Sequence, residues 1–262
     1  MLPTKTHETA SQLESTNGLT NNPVEICSTL NLSFTNVASR YITNQVKAED
    51  CDLSTLRDHI KDKLPSSVAA FVIPDMTMEF VNNEIKKLSD NKATGHDGIP
   101  TKALKIACTV INDPLLFIFN LSINTGIVPD SWKLAKVTPL FKSGSHSNNY
   151  RPIAVLPILS KILERLIHIY LLEYLNKYEL IHSFQSGFRQ KHSCEFALIH
   201  MVDKWLEAIS YGQLTGALFI DFRKAFDLVD HEILIRKLKL YNLHDAALKW
   251  FNSYLSDSSL SQ

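Results

Sequence analysis

Apolar residues recur at spacings of three and four along much of the chain, which is the pattern of helices that bury one face. The segments 26–42, 78–88 and 157–175 show this pattern most clearly. Thr77 precedes the second segment and has a side chain suited to capping a helix N-terminus. The chain has 262 residues, 45% of them hydrophobic, which is enough for a sizeable core. The pattern therefore predicts a predominantly helical α+β protein.

Caps and breakers divide the rest of the chain into shorter helices. Residues 101–111 have a helical pattern, and Asp113 followed by Pro114 is the order typical of a new helix start. This second helix is expected to stop at Gly126. Side chains suited to capping three later helices occur at Ser193, Asp230 and Asp245.

Short extended segments alternate with these helices. Residues 135–142 and 150–155 flank a polar turn and predict a hairpin, with Pro139 favouring an edge strand. Residues 217–220 form a short apolar run that ends abruptly at Asp221, which predicts a buried strand. That strand would present Asp221 at its C-terminal end.

Polar segments indicate which parts of the chain are not expected to join the core. Residues 1–24 are polar and are expected to be disordered or loosely attached, and residues 44–75 are typical of a linker with one weak helix. No segment approaches the ~20 apolar residues of a membrane span, so no membrane partner is expected. Four scattered cysteines without a CxxC pair favour a reduced, intracellular chain.

The net charge is zero, but the charges are unevenly distributed. Residues 1–90 carry 8 Lys and Arg against 12 Asp and Glu, whereas residues 131–200 carry 9 against 4. A basic middle region is typical of a surface that faces phosphates. It is also what ordinary solvated helix faces look like, and charge alone does not decide between them.

Asp221 is the first candidate for chemistry. A carboxylate at the end of a buried strand suits a hard divalent cation, although in an arbitrary protein it more often caps a turn or helix. If the following residues are helical, Asp227 and Asp230 point away from Asp221 and cannot complete a two-metal site with it. The partner carboxylate is therefore expected from elsewhere in the fold or from outside this chain.

Two further segments could meet phosphates. The loop 91–100 has two glycines around Asp97, and its backbone N–H groups and Lys92 could contact a phosphate; a plain interhelical loop explains the spacing equally well. Lys142 and Arg151, on either side of the predicted hairpin, would suit a triphosphate. Isolated basic residues are more often simply solvated.

Taken in order, five segments of the chain resemble the reverse transcriptases of LINE-like, non-LTR retrotransposons, including the jockey-like elements. The resemblance covers about residues 75–255. The matching segments are 91–100 (NKATGHDGIP), 129–133 (PDSWK), 149–153 (NYRPI), 185–189 (QSGFR) and 219–231 (FIDFRKAFDLVDH).

The resemblance implies a right-hand polymerase fold, with fingers and an incomplete palm. On this basis residues 1–75 would be a polar, partly disordered extension with one or two helices. Residues 76–215 would be a fingers-like region, and residues 216–262 the first part of the palm.

The resemblance also implies the roles of individual residues. Asp221 matches the first catalytic aspartate, which binds both Mg²⁺ ions, and the backbone carbonyl of Phe222 would bind one of them. Phe226 matches the bulky residue that fills the space of a ribose 2′-OH. The residues implied in nucleotide binding are Lys142, Arg151 and Phe226, and Arg189 is implied in template binding.

The departures from the family pattern matter as much. The Gly-x-Pro-Gln-Gly turn and the Asp-Asp hairpin that supplies the second carboxylate are absent, and no two aspartates are adjacent. We therefore expect a truncated RNA-directed DNA polymerase, inactive alone, whose partners would be an RNA template, a DNA primer and dNTPs in the cytoplasm and/or nucleus. The alternatives are a non-catalytic nucleic-acid-binding or interaction protein derived from a retroelement, and a remnant without a role.

Overall fold

The computed structural model describes residues 13–15, 18–36, 48–65, 67–141, 150–222, 224–256 and 260–261. The helices of this part are α1 (Pro23–Thr35), α2 (Ser54–Lys61), α3 (Met78–Lys87), α4 (Thr101–Thr125), α5 (Asp130–Lys133), α6 (Ile158–Lys177), α7 (Cys194–Ser210), α8 (His231–Leu240) and α9 (Asp245–Leu255), with a 3₁₀ turn at Ala48–Asp50. Its strands are β1 (Leu13–Ser15), β2 (Gly18–Thr20), β3 (Ala135–Phe141), β4 (Tyr150–Val155) and β5 (Leu260–Ser261). The described part is thus mainly helical with a little sheet, as the sequence predicts.

Local capping signals explain where most helices begin. Thr77, Ser193 and Asp230 each accept a hydrogen bond from the backbone N–H three residues further on, at 2.9 to 3.3 Å. The predicted cap at Asp245 is wrong by one residue, because His244 Nδ1 pairs with the N–H of Ala246 at 3.2 Å. Since Asp245 is then the first residue of α9, its carboxylate still lies at the positive end of the helix dipole.

Residues 101–125 form one continuous helix, so the predicted restart at Asp113 is wrong. Pro114 lies inside α4, where it can donate no hydrogen bond to the carbonyl of Val110. Because the Val110 side is exposed, water can satisfy that carbonyl. α4 ends, as predicted, at Gly126, which has a φ of +67°.

The length and composition of α4 would allow it to cross a membrane, contrary to the sequence-based expectation that no segment could. One face of the helix nevertheless packs into the protein core through Leu115, Phe119 and Ile123. Ser122, on the same side, accepts a hydrogen bond from the indole N–H of Trp250 at 3.2 Å. The other face of α4 exposes large apolar side chains, among them Ile106, Val110 and Phe117.

The described part of the N-terminal region contains two short strands and one buried side chain. β1 and β2 form an antiparallel pair, and Leu13 is fully buried against Ile26 and Leu30 of α1 and Tyr150 of β4. Within the described part of residues 1–24, the buried side chain of Leu13 attaches the segment to α1 and β4. The second half of the predicted helix 26–42 lies outside the described residues.

The predicted hairpin is confirmed. β3 and β4 pair antiparallel from Lys136 opposite Val155 to Phe141 opposite Tyr150, and β5 adds two residues parallel to β3. Pro139 lies opposite Pro152, so neither residue can donate a hydrogen bond at that point of the ladder. The connecting residues 142–149 lie outside the described part of the chain.

α6 runs through the main hydrophobic core. Its residues Ile162, Leu163 and Leu166 are almost completely buried, and α3, α4, α5 and α9 contribute side chains to the same cluster. Trp132, which the sequence analysis assigns to the core, is buried there against Phe119 with ring centroids 5.3 Å apart.

Two segments that are far apart in the sequence, 68–71 and 242–244, are connected by hydrogen bonds beside this core. Phe71 exchanges backbone hydrogen bonds with Asn242 and His244, both at 2.9 Å. The side chain of Asn242 also donates to the carbonyl of Val68 at 3.1 Å. The linker predicted over residues 44–75 therefore ends as a packed segment that shares the core with residues 243–250.

The loop 91–100 passes very close to the start of α6. Gly95 is buried, and a Cβ at this position would lie 2.7 Å from the nitrogen and 2.8 Å from the Cα of Pro157. The ring nitrogen Nδ1 of His96 lies 3.2 Å from the carbonyl oxygen of Leu134, which fixes the loop to the chain before β3. Only glycine fits at position 95 without a backbone shift.

The half-buried carboxyl of Glu164 lies where α6 meets α9. Tyr254 donates a hydrogen bond to Glu164 at 2.8 Å, and Ser160 donates to the same oxygen at 3.2 Å. Burial raises the pKa of the Glu164 carboxyl, although these hydrogen bonds and the nearby Lys161 act in the opposite direction. Burial and the neighbouring carboxylate raise the pKa of Tyr254 as well.

The close approach at Gly95 predicts that Gly95→Ala destabilises the protein. Because the clash is with backbone atoms, the loop or α6 must move, which typically costs about 1–3 kcal/mol. Gly216→Ala is the matched control, since a Cβ there meets nothing within 4 Å. Urea unfolding of both variants measures the difference, and equal stabilities would contradict the packing at Gly95.

The raised pKa of Glu164 predicts a pH-dependent stability difference from Glu164→Gln. A carboxyl with a folded-state pKa above its unfolded value stabilises most below the unfolded pKa, ~4.3, and that contribution is lost as pH rises through the folded-state pKa. Glutamine keeps an acceptor oxygen and does not ionise. We expect E164Q to gain stability relative to the unchanged protein between pH 4 and pH 7 in urea titrations; parallel pH profiles would contradict this.

Candidate functional site

The segment that precedes Asp221 is not a strand in this structure. Residues 213–222 have no regular secondary structure, and every one of them is exposed. Leu218, Phe219 and Ile220 are 85%, 74% and 70% exposed. The predicted buried strand at 217–220 is therefore wrong here, because an apolar strand needs partner strands and none pairs with this segment within the described residues.

Asp221 is consequently an exposed carboxylate on an irregular segment. It forms no hydrogen bond or ion pair with any other described residue, so nothing in that part of the protein fixes its direction. Phe222, whose backbone carbonyl is the second implied metal ligand, has a side chain that is 77% exposed. Arg223 lies outside the described residues.

The chain turns directly after this segment, and the turn presents Phe226. The carbonyl of Lys224 accepts hydrogen bonds from the N–H groups of Asp227 and Leu228 at 3.0 and 3.2 Å. Phe226 is 75% exposed, and its ring meets that of Phe188 edge-to-face, with centroids 5.7 Å apart. This contact brings together the segments 185–189 and 219–231, which are 30 residues apart in the sequence.

Phe188 is held in an unusual backbone conformation. Its φ is +61°, in the left-handed region that residues other than glycine adopt only at an energetic cost. Gln185 Nε2 donates to the carbonyl of Gly187 at 3.3 Å, and Arg189 donates to the carbonyl of Gln185 at 3.3 Å. These hydrogen bonds hold the turn that directs Phe188 towards Phe226.

Arg189 lies in a basic pocket of about 470 Å³. Its guanidinium also donates to the carbonyl of His182 at 3.4 Å, and the rings of His182 and His59 are stacked with centroids 6.1 Å apart. Lys63 reaches the same pocket and donates to the carbonyl of Glu179 at 2.6 Å. Lys63 and His59 therefore line the same pocket as Arg189, although they are more than 120 residues away from it in the sequence. The sequence patterns did not indicate this proximity.

Arg151 lies apart from these residues on the exposed side of β4, opposite Leu140. Its neighbour Tyr150 is buried, and the ring packs against Phe141 with centroids 5.3 Å apart. Tyr150 thus anchors the strand that carries Arg151, a role that sequence reasoning missed. Lys142, the other implied triphosphate contact, lies outside the described residues.

The structure thus brings together some of the implied site residues but not others. Phe226 and the turn containing Arg189 meet through Phe188. No hydrogen bond, ion pair or ring contact of the described residues joins Asp221 to Arg151 or to Arg189.

The described residues do not form a metal site. No group of three or more His, Cys, Asp or Glu side chains in that part of the chain could hold a metal ion. A lone exposed aspartate lacks the several oxygen ligands that Mg²⁺ requires. The site therefore does not fit a two-metal centre as it stands.

Comparisons with known proteins identify the kind of sequence to which these segments belong. Residues 141–262 match the family model described as reverse transcriptase (RNA-dependent DNA polymerase). The matched region contains Arg151, Arg189, Asp221 and Phe226. This part of the chain is therefore similar in sequence to reverse transcriptase domains.

Several curated proteins are similar over a larger region. The chain is 35% identical over 167 residues to the RNA-directed DNA polymerase from mobile element jockey of Drosophila melanogaster, covering 63% of this chain and 18% of that protein. It is 33% identical over 158 residues to the probable RNA-directed DNA polymerase from transposon X-element of the same species, covering 59% and 17%. With the Pol polyprotein of retrotransposable element R2 of Popillia japonica it shares 27% over 172 residues, covering 64% and 22%. The chain spans about a fifth of the length of these relatives.

The exposure of residues 213–222 predicts early cleavage by chymotrypsin. Proteases cut irregular, accessible segments first, so Phe219 and Phe222 should be cleaved well before Phe119, which is fully buried. Mass spectrometry of fragments from a limited digest provides the measurement. Protection of Phe219 on the same timescale as Phe119 would contradict the structure of this segment.

Proposed function

We propose that this chain, which is related to the reverse transcriptases of non-LTR retrotransposons, is part of an RNA-directed DNA polymerase. The sequence relationship supports the reaction class. The structural observation that carries the proposal is the contact between Phe188 and Phe226, since it joins two of the five segments that resemble the family. Template, primer and incoming nucleotide would meet this side of the protein.

In this proposal each implied residue has a defined task. Arg151 and Lys142 bind the triphosphate of the incoming dNTP, arginine as a planar fork and lysine as a point charge. Phe226, exposed and resting on Phe188, limits the space beside the sugar and so favours deoxyribonucleotides. Arg189 contacts the template from the edge of the basic pocket that it shares with Lys63 and His59.

Asp221, with the backbone carbonyl of Phe222, is the proposed contribution of this chain to a Mg²⁺ site. Completing such a site requires further oxygen ligands close to Asp221, and the described residues form no group of three or more side chains that could hold a metal ion. We therefore propose that the chain binds nucleic acid but does not extend a primer by itself.

The proposed setting is the inside of a cell, in the cytoplasm and/or nucleus. Cys27, Cys51, Cys108 and Cys194 are all free thiols in the structure, which is typical of proteins in a reducing compartment. The fingers-like region over residues 76–215 and the first part of a palm over residues 216–262 remain predictions of the sequence resemblance.

Two measurements test this function. The purified chain, supplied with a primed RNA template, dNTPs and either Mg²⁺ or Mn²⁺, should give no extension. Extension that Asp221→Ala abolishes would contradict the proposed inactivity and would show that a complete site forms.

Binding of the same primed RNA should fall steeply with salt, because phosphate contacts release counterions. Arg151→Met and Arg189→Met should each reduce the slope of log affinity against log salt by about 1. Lys86→Met is the matched control, since Lys86 is an exposed residue of α3 outside the proposed interface. Absence of binding at low salt, or equal effects of all three variants, would contradict the assignment of these arginines.

A further inference from the structure

A second cavity, of about 300 Å³, lies between α3, the start of α4 and the start of α6. None of the residues proposed for polymerisation lines it. Its apolar lining consists of Leu88, Ile158 and Ile162, and its cationic lining of Lys92, Lys161 and Arg165; Thr101 and Glu84 complete it.

Thr101 is the buried polar group of this cavity. Its side chain is fully buried, and its hydroxyl has no hydrogen-bond partner in the described part of the structure. Buried hydroxyls are nearly always paired in folded proteins, so an unpaired one next to a cavity indicates a partner that comes from outside the chain.

Thr101 is also the first residue of a 25-residue helix. The residue before it, Pro100, provides no side-chain cap, so the first N–H groups of α4 lack the partner that a cap would supply. The N-terminus of a long helix favours negative charge through its dipole and its free N–H groups. The Thr101 hydroxyl, the first N–H groups of α4 and the positive end of the helix dipole therefore all lie at the N-terminus of α4, which borders the cavity.

The charges around the cavity favour an anion as well. Burial lowers the pKa of the Lys161 ammonium, the nearby Lys92 lowers it further, and Glu164 and Asp97 oppose this. Glu84, the acidic residue of the lining, already pairs with Lys87 at 2.7 Å. An anion between the cations would relieve the repulsion of Lys161 by Lys92.

We propose that this cavity binds a phosphate group, carried either by a free nucleotide or by a nucleic-acid strand. The hydroxyl of Thr101 and the first N–H groups of α4 donate to the phosphate oxygens. Lys92, Lys161 and Arg165 balance the charge, and the apolar side chains contact the attached sugar. Lys92 would then contact a phosphate, which is one of the two interpretations that the sequence allowed for the loop 91–100. None of the residues proposed for polymerisation lines this cavity.

The probes for testing this site are 5′-AMP, adenosine and a single-stranded RNA oligonucleotide without a terminal phosphate. Each probe is titrated into the whole chain in a calorimeter. If the free nucleotide is the ligand, 5′-AMP binds, and adenosine binds at least about tenfold more weakly than 5′-AMP. If the strand is the ligand, RNA binds and 5′-AMP and adenosine are equally weak. The first result supports the phosphate site with a free nucleotide as its ligand. The second supports it with a strand as its ligand only if substitutions in the cavity weaken the RNA binding, because Arg151 and Arg189 are also proposed to bind RNA.

Variants connect this binding to the cavity. Thr101→Val keeps the shape of the side chain and removes the hydroxyl, so affinity for the phosphate-bearing probe should fall about tenfold while the folded protein remains at least as stable. Thr101→Ser should restore the affinity, and Lys161→Met should reduce it. The controls are Thr109→Val, an exposed threonine of the same helix, and Lys86→Met, an exposed lysine of α3.

Two results would overturn the proposal. One is that neither 5′-AMP nor the RNA binds more tightly than adenosine. The other is that Thr101→Val and Lys161→Met change the affinity no more than their controls do. Because no primer extension is measured, the outcome does not depend on whether the chain contributes to a polymerase.

Discussion

The packing of α6 into the core is the interaction on which the rest of this structure depends. Its buried stripe meets side chains from α3, α4, α5 and α9, so helices from distant parts of the sequence share one hydrophobic centre. Pro157, which directly precedes α6, packs against Gly95, and the first residues of α6 border the phosphate-binding cavity that we propose. Its later part carries Tyr174, which donates to the carbonyl of Tyr241 at 3.0 Å and so connects α6 to the end of α8.

The candidate polymerase site, in contrast to α6, lies outside the hydrophobic core. Residues 213–222 are apolar and carry Asp221, yet they are exposed and have no partner strand within the described residues. No contact within the described residues fixes the direction of this carboxylate, whereas a cation site needs ligands held in fixed geometry. The contact of Phe226 with Phe188 nevertheless keeps the neighbouring turn close to Arg189.

How well the sequence predicted each element depended on the range of the interactions that form it. Helix caps at Thr77, Ser193 and Asp230 and the stop at Gly126 were predicted correctly, because each depends on a few neighbouring residues. The hairpin was also predictable, since its two strands are close in sequence.

Elements that depend on distant partners could not be predicted in this way. Whether residues 217–220 pair as a strand depends on strands that the local pattern does not contain. The burial of Leu13 depends on Tyr150, more than a hundred residues away. Pro114 continues a helix where local rules predict a restart, because α4 is held by tertiary packing against α3 and α9. The joining of Lys63 and His59 to the pocket of Arg189 depends on the same kind of long-range packing.

The central proposal is that Asp221 belongs to a polymerase site whose metal ligands this chain does not complete. The most direct test is a titration of the purified chain with Mn²⁺, followed by the enhancement of water-proton relaxation that a bound ion causes. We predict no tight Mn²⁺ binding that depends on Asp221, so that the unchanged chain and the D221A variant give the same curve. Stoichiometric binding at micromolar Mn²⁺ that D221A abolishes would contradict the account.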